Sequence, residues 1–383
     1  MSESEEKPLV VIRSLVYNHE PYLRDCLEGF VMQQTTFPFV AVVHDDCSTD
    51  GSAAIIREYA EKYPHIIKPV YETENQYSKG TLGRAMKEAC GKYGAKYYAL
   101  CEGDDYWTDP HKLQKQVDFL EAHPEYAMVC CNCEIHTPTE KYVSHEDHIK
   151  GGWAHCAEDR EITPEETIER HGRYARTAGI MYHRRVLDMM PESTMNCEAG
   201  DFRLQLSAML AGKIYHMNDN MFVYRFMVPG SWTAKNEGML DSEKLLTSMQ
   251  RLLDMLEVFN EKTHGRYETS FKIAEESMLS WRLHTQPQAA GIIKQHFGHL
   301  LWYKRLSSYH QSRHGWLTNM ILKACYHPYY PLTSHNSLIC PLLRPFYKTS
   351  AHKGTIHIGP FNIVSFVETS SGRTIYVCGK KVL

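Results

Sequence analysis

One stretch indicates the fold of this chain: Cys101-Glu102-Gly103-Asp104-Asp105-Tyr106-Trp107, which directly follows the apolar run Tyr97-Tyr98-Ala99-Leu100. The apolar run predicts a buried β-strand, so the two adjacent carboxylates lie where that strand ends. Neighbouring side chains of extended backbone point to opposite sides, which lets one carboxylate bind a metal while the other contacts another group. Hard oxygen ligands favour Mg²⁺ or Mn²⁺, which proteins usually bind through one or two carboxylates together with substrate phosphates.

A second acidic cluster supports this interpretation, because a lone Asp-Asp pair also occurs in turns and helix caps. It is Asp45-Asp46-Cys47-Ser48-Thr49-Asp50-Gly51, after the strand-like run at residues 39–43. The first 130 residues alternate such runs with stretches of helical spacing, the order that favours a doubly wound, mostly parallel α/β sheet flanked by helices. Ligands of these sheets lie beyond the carboxyl ends of the strands, where both clusters fall.

The first strand-to-helix connection, at residues 13–21, contains no glycine. Its sequence therefore excludes the GxGxxG dinucleotide motif and the P-loop, which cradle phosphates with glycine-rich backbone. The phosphates of a nucleotide bound here must instead be neutralised by a metal ion and by side chains.

The composition is that of a globular enzyme with two or three domains: 383 residues, 43% of them hydrophobic and 23% charged. We expect no signal peptide and no membrane-spanning segment, because the first residues are polar and no apolar run is long enough. Twelve cysteines without a disulfide-like spacing favour the reducing cytoplasm. Nothing in the sequence indicates a nucleic acid partner.

The net charge of −4 conceals an uneven distribution. Residues 277–383 contain twelve Lys or Arg and one acid, Glu368, whereas residues 1–276 contain thirty Lys or Arg and forty-five Asp or Glu. This difference indicates an acidic catalytic part and a basic segment suited to an anionic partner.

Taken together, the motifs resemble the family-two inverting glycosyltransferases, which have the glycosyltransferase-A fold. The resemblance covers roughly residues 8–235, and one departure is Cys47, where the family usually has glycine. The matching elements are Val11-Ile12, Tyr17-Asn18-His19-Glu20-Pro21-Tyr22-Leu23, Cys26-Leu27, Gln33-Gln34, the cluster at 45–51, Gly103-Asp104-Asp105 and Asp109-Pro110-His111-Lys112-Leu113.

The resemblance implies a donor-nucleotide site at the ends of the first two strands. Asp46 would accept the imide N–H of a uracil, a role for which a carboxylate is suited. Tyr17 would lie against the base, and Asn18 and Glu20 belong to the same donor-binding segment.

The resemblance also implies roles around the diphosphate. Asp104 would contact the ribose, and Asp105 would hold the Mn²⁺ or Mg²⁺ that bridges the diphosphate, where the metal acts as a Lewis acid. Lys79 and Arg84 would reach the phosphates, although both could equally be solvated side chains near the start of a helix.

An inverting transfer needs a base for the acceptor hydroxyl, and the candidate is Asp201, which matches the late acidic motif of the family. The alternative is that Asp201 is the N-cap of a helix over residues 202–210. Trp107 and Trp232 are candidate platforms for the acceptor sugar, with core packing as the alternative for each. In a common bacterial branch a histidine follows the pair Tyr224-Arg225, but here residues 226–227 are Phe and Met, which leaves a histidine metal ligand in doubt.

We expect a catalytic domain at residues 1–235, a helical region at 236–345 that is basic after 277, and a small β-hairpin-like tail at 346–383. One helical stripe, with Leu245, Met249, Leu252, Leu253, Leu256 and Phe259, is typical of a core. Residues 293–305 and 313–323 have the pattern of basic amphipathic helices, which either lie on an anionic membrane surface or belong to an ordinary helical subdomain.

The sequence thus predicts a cytoplasmic, metal-dependent inverting glycosyltransferase, with peripheral association with the inner face of the membrane as an open alternative. Its donor would be a nucleotide sugar, expected to be a UDP-sugar, and its acceptor a saccharide or lipid-linked glycan of surface polysaccharide synthesis. Two alternatives stay open: a nucleotidyltransferase, which also uses metal-binding carboxylates, and a non-catalytic nucleotide-sugar-binding protein, which needs no base at Asp201.

Overall fold

A computed structural model describes residues 7–139, 141–143, 156–231, 234, 242–286, 289–298 and 300, together with five strands between residues 347 and 381. The chain divides into two compact units, Met1–Ala290 and Gly291–Leu383. In the part of the chain so described, no helix is both long and apolar enough to cross a bilayer.

The first unit begins with alternating strands and helices, as the sequence predicts. In order, they are β1 Val10–Val16, α1 Leu23–Val31, β2 Phe39–Asp45, α2 Ser52–Lys62, β3 Ile67–Tyr71, α3 Leu82–Gly91, β4 Tyr97–Leu100, β5 Tyr106–Trp107, α4 Lys112–Ala122 and β6 Tyr126–His136. There follow β7 Lys141–Val143, β8 Arg160–Ile162, α5 Pro164–Glu169, β9 Met181–His183, α6 Arg185–Asp188, α7 Gly200–Ala211 and β10 Lys213–Arg225, and then α8 Ser242–Lys262 and α9 Glu268–Thr285. Helix α10, Ala290–Phe297, begins at the last residue of the first unit and otherwise belongs to the second.

The strands form one large sheet with the order β3-β2-β1-β4-β9-β6-β10-β5. β1 is parallel to β2 and β4, and β6 is parallel to β10. β9 is antiparallel to both β4 and β6, so those two strands run in the same direction. This confirms the predicted mostly parallel α/β sheet, and its parallel half brings the ends of β2, β1 and β4 side by side.

The sheet is buried on both faces, which explains why its strands are apolar without strict alternation. Along β1, Val10 and Ile12 belong to one core cluster, whereas Val11 belongs to another on the opposite face. A third cluster joins α8 and α9 to α5 and α7. The predicted core stripe of α8 is confirmed, because Leu245, Met249, Leu253, Leu256 and Phe259 are buried and Leu252 is packed against this cluster.

The C-terminal unit contains an antiparallel sheet in the order β11-β12-β13-β14-β15. It agrees with the predicted small β tail. Its strands are β11 Tyr347–Ser350, β12 Lys353–Ile358, β13 Phe361–Thr369, β14 Gly372–Val377 and β15 Lys380–Lys381.

The Asp109 carboxylate accepts the backbone N–H of His111, the N-cap of α4, at 2.8 Å. One sequence prediction needs correction. Trp107 is not an acceptor platform, because it is only 2% exposed and packs edge-to-face on Phe30. Its indole N–H donates to the Ala178 carbonyl at 2.8 Å, which satisfies the one polar atom of the buried ring.

Helix α1 approaches β5 at Gly29, and this contact holds the strand that follows the two aspartates. A Cβ atom on Gly29 would lie 2.9 Å from the backbone nitrogen of Trp107 and 3.1 Å from its carbonyl oxygen. Backbone atoms cannot rotate away as a flexible side chain can, so only glycine allows this spacing.

We expect Gly29→Ala to lower the free energy of unfolding by about 1–2 kcal/mol, because overpacking outweighs the better helix propensity of alanine. The matched control is Gly91→Ala, also in a helix, where a Cβ meets nothing within 4 Å. That variant should gain up to about 1 kcal/mol from propensity alone. Urea unfolding of both proteins measures the difference, and equal effects would contradict the steric argument.

Candidate active site

Backbone hydrogen bonds hold both acidic clusters against the end of β1. The N–H of Gly103 donates to the Leu15 carbonyl and the N–H of Asp46 donates to the Val16 carbonyl, each at 2.9 Å. A Cβ on Gly103 would lie 2.8 Å from the His19 ring and 3.0 Å from a Val16 methyl. The absence of a side chain at residue 103 therefore lets the loop after β4 lie directly against the loop after β1.

The carboxylate of Asp46 is buried, and it organises a neighbouring loop. Its two oxygens accept the backbone N–H groups of Gln76 and Tyr77 at 2.6 and 3.0 Å, and its carbonyl accepts the Asn75 amide at 3.1 Å. Tyr17, which follows β1, is 37% exposed, and Tyr77 is 54% exposed. The end of β2 thus combines a fixed carboxylate with two accessible aromatic residues, a combination suited to a nucleobase.

Asn18 and Glu20 connect the loop after β1 to the start of α2. Asn18 has a positive φ of 57°, and its side-chain oxygen accepts the Thr49 N–H at 2.8 Å. The Glu20 carboxylate accepts the Gly51 N–H at 2.7 Å. In this structure both side chains hold the two loops together, and a contact of either with a nucleotide stays a prediction.

Cys47 adopts a left-handed backbone conformation, with φ of 64°. Glycine is the residue that takes this conformation without steric cost, which gives a physical reason for the glycine expected at this position. The departure therefore alters a turn and leaves Asp46 in place.

Asp105 is a buried carboxylate, only 3% exposed. One of its oxygens accepts the Arg225 backbone N–H at 2.8 Å. Burial raises the pKa of Asp105 well above its usual range, and the nearby charges of Asp104 and Glu102 raise it further, while the Arg225 N–H and the charge of Arg176 act in the opposite direction. The ionised form of Asp105 is therefore disfavoured unless a further positive charge approaches.

Arg225, at the end of β10, holds the acidic loop in position. Its guanidinium donates to the Asp104 carbonyl at 3.0 Å and forms an ion pair with Asp25 of α1. The same group lies over the rings of Tyr106 and Tyr22, at 4.4 and 5.2 Å from their centres. One side chain therefore joins β10, the acidic loop and α1.

Glu102 lies close to both Asp104 and Asp201. Burial, together with the charges of Asp104 and Asp201, raises the pKa of Glu102 to about 7, against the opposing charge of Arg13. The loop after β4 and the start of α7 therefore face each other, so Asp201 belongs to the same site as the aspartate pair.

Asp201 lies in the first turn of α7, whose N-cap is Ala199, so the prediction that Asp201 is the N-cap is wrong. Its carboxylate accepts the Phe202 N–H at 2.8 Å. Burial raises the pKa of Asp201, against the opposing effects of this hydrogen bond and of Arg203 and Arg173. A raised pKa is typical of a carboxylate that accepts a proton near neutral pH.

The aspartate pair fits a divalent cation that is shared with a diphosphate. Its oxygen donors are of the kind that Mg²⁺ and Mn²⁺ prefer, and the crowded negative charge around Asp105 would be offset by a cation. Within residues that the structure describes, no three His, Cys, Asp or Glu side chains are grouped to hold a metal. Phosphate oxygens would have to complete the coordination.

The other predicted residues are dispersed. Lys79 forms an ion pair with Glu74, and Arg84 is exposed in the first turn of α3, so phosphate binding by either stays a prediction. Trp232 lies outside the described residues. Of the proposed membrane-facing helices, Ile293 and Phe297 are buried on α10, and residues 301–346 lie outside the described part.

Sequence reasoning gave no role to Glu102 and used Arg225 only for the resemblance. Glu102 lies in the acidic stretch at residues 101–107, two residues before Asp104. This position is the feature of the sequence that could have identified Glu102 as a site residue. Arg225 could be recognised only from its distant contacts with Asp25 and Asp104, which the sequence does not reveal.

Known proteins resemble this chain over the region that contains the site. Residues 14–189 match the family model described as Glycosyl transferase family 2. Uncharacterised proteins of Mycobacterium bovis and Mycobacterium tuberculosis are 32% identical over 268 residues, 70% of this chain and 72% of theirs. The putative teichuronic acid biosynthesis glycosyltransferase TuaG of Bacillus subtilis is 34% identical over 114 residues, 30% of this chain and 42% of TuaG.

A solved structure has the same fold. S. aureus TarS 1–349 in complex with UDP-GlcNAc has a TM-score of 0.55 at 16% identity, covering 92% of this chain and 97% of that one. The family match extends over both acidic clusters, so the loops at the end of β1 lie inside the shared region.

The raised pKa of Glu102 predicts a pH-dependent stability. Because the folded pKa of about 7 exceeds the unfolded value near 4.3, the stabilising contribution is present below pH 4.3 and lost as the pH rises through 7. We expect the unfolding free energy of the native protein to fall relative to that of Glu102→Gln between pH 5 and pH 8. Urea titrations of the metal-free proteins measure it.

The control for this prediction is Glu61→Gln, at an exposed position of α2. Its difference from the native protein should stay constant over the same pH range. A constant difference for Glu102→Gln as well would show that burial and neighbouring acids do not disfavour its charge.

Proposed function

Because the chain belongs to glycosyltransferase family 2, we propose that it moves a sugar from a UDP-sugar to a hydroxyl group of a saccharide or lipid-linked glycan, in surface polysaccharide synthesis. The proposal further states that the anomeric carbon is inverted. It rests mainly on one observation: backbone hydrogen bonds hold Asp46 and the loop of Asp104-Asp105 at the end of β1, and the charge of Asp201 acts on Glu102 of that same loop.

The proposed donor site uses residues at the ends of β1, β2 and β4. Asp46 reads the base, which lies against Tyr17, and Asp104 binds the ribose. Asp105 would hold Mn²⁺ or Mg²⁺, whose chemistry is to stabilise negative charge on the departing diphosphate. The contacts of Arg225 with Asp104 and Asp25 keep this loop in one position before the donor binds.

In the proposed transfer, Asp201 takes the proton from the acceptor hydroxyl while the oxygen of that hydroxyl attacks the anomeric carbon. The bond from that carbon to the diphosphate oxygen breaks, and the electron pair leaves with the nucleoside diphosphate. A single displacement of this kind inverts the carbon. The raised pKa of Asp201 suits a carboxylate that must hold the proton after the attack.

The alternatives have less support. A nucleotidyltransferase would release pyrophosphate from a nucleoside triphosphate, and the family match favours transfer of a sugar instead. A non-catalytic nucleotide-sugar-binding protein has no need for a third carboxylate, and here Asp201 faces the aspartate loop closely enough to raise the pKa of Glu102.

We also propose that the basic segment after residue 277 attracts the enzyme to the cytoplasmic face of a membrane. Each Lys or Arg near an anionic leaflet contributes about 1 kcal/mol of attraction. We expect sedimentation with anionic vesicles but not with neutral vesicles, and weaker sedimentation in high salt. Equal sedimentation with both vesicle types would exclude an electrostatic attraction.

The base assignment predicts that Asp201→Asn lowers sugar transfer by about 10²–10⁴-fold. Asparagine can still accept the Phe202 N–H, so the variant should fold and should bind UDP with Mn²⁺ as the native protein does. Turnover of UDP-sugars and calorimetry with UDP and Mn²⁺ measure the two effects, and NMR of the product reports the configuration.

Normal turnover in Asp201→Asn would disprove the base assignment. Retention of configuration would disprove the single displacement, even if the variant were inactive. Failure of the native protein to bind UDP under any metal condition would disprove the donor assignment itself.

A further inference from the structure

Helix α9 covers the segment that leads from α5 towards the proposed base. Ser270 donates to the Glu169 carboxylate at 2.8 Å, and the His171 ring lies 2.9 Å from the Ala274 carbonyl. Further along, Arg173 lies over the ring of Trp281. The α9 residues 270, 274 and 281 share one helix face, so this one face contacts residues 169, 171 and 173 in turn.

The same segment also contacts the start of α7. The rings of His171 and Phe202 meet edge-to-face, with their centres 5.6 Å apart. Phe202 directly follows Asp201, and the positive charge of Arg173 opposes the rise in the pKa of Asp201. The end of α9 that carries Trp281 is therefore next to the carboxylate that would accept the proton.

Two guanidinium groups flank the indole of Trp281. Their central carbons lie 5.5 Å from the ring centre for Arg173 and 4.6 Å for Arg282. All three side chains are partly exposed. The partly exposed indole offers apolar contact to a sugar ring, and the two guanidinium groups near it offer donors for an anionic substituent of that sugar.

The local charges favour an anion. Burial lowers the pKa of Arg282, and the charge of Arg173 lowers it further, so the two cations repel each other. The charge of Glu198 acts in the opposite direction on Arg282, but Glu198 is already paired with Arg251 of α8 at 2.8 Å. In the described part of the chain, Arg282 has no ion pair of its own. A bound phosphate or carboxylate would relieve this repulsion.

We propose that Arg173, Trp281 and Arg282 form an acceptor subsite for a sugar that carries a phosphate or carboxylate group. The proposal rests on the proposed function through the role of Asp201, whose position beside Arg173 defines this side of the site as the acceptor side. It replaces the buried Trp107 with a partly exposed indole as the platform, and it assigns the acceptor to an anionic saccharide.

The test compares three probes of similar size: methyl α-glucoside, glucose 6-phosphate and glucuronic acid. Calorimetry is done with saturating UDP and Mn²⁺, so that the donor site is filled. We expect the native protein to bind at least one charged probe at least about tenfold more tightly than the neutral glycoside, with a salt-dependent affinity. Which charged probe binds more tightly distinguishes phosphate from carboxylate.

Arg282→Gln should abolish this preference, and thermal unfolding checks that the variant folds. The matched control is Lys272→Gln on the same helix, which removes the same charge from an exposed pair with Glu268 and should leave the preference intact. Trp281→Leu should lower the affinity for all three probes by a similar factor. A native protein without the preference, or an Arg282→Gln variant that keeps it, would overturn the proposal.

A failure of the proposed function gives a different result. A native protein that binds no UDP and turns over no UDP-sugar disproves the donor assignment. The probe affinities and their dependence on Arg282 can then be measured without UDP, and they still decide whether the subsite exists.

Discussion

The site depends on the compensation of buried negative charge at the end of β4. Removing a carboxylate from water is costly unless hydrogen bonds and opposite charges replace the lost hydration. Asp105 is buried beside two other acids, and the backbone and side chain of Arg225 approach the loop from the end of β10, the longest strand among the described residues. The compensation therefore requires β10 to reach its full length and to end where β4 ends.

In the proposed function, donor and acceptor tasks are separated along the chain. Residues up to 107 build the loops around the end of β1, and Arg225 of β10 holds the loop after β4 in position. The proposed base comes from α7, and the proposed acceptor subsite from α9, which contacts the segment at residues 169–173. Electrostatics connects these parts, since Glu102 responds to Asp104 on one side and to Asp201 on the other.

Much of this arrangement could be predicted from the sequence, because the deciding signals are local. Apolar runs that end in acidic turns predicted β2 and β4, and parallel strand ends brought Asp46 and Asp104 to one edge. Trp107 was misjudged because its partner Phe30 and the close approach at Gly29 lie far away in sequence. Arg225 and Trp281 depend on contacts between distant elements, and no periodicity or turn chemistry reveals such contacts.

Because α9 covers residues 169–173, the order in which the chain is synthesised affects when the site is completed. A chain that emerges from the ribosome can pair β1, β2 and β4 early, since these strands belong to consecutive units. His171 and Arg173 lack their α9 partners, Ala274 and Trp281, until the chain beyond Trp281 has also emerged. In a nascent chain the proposed donor side can therefore form first. The proposed acceptor side is completed only afterwards, so the ability to bind a glycan acceptor would develop last.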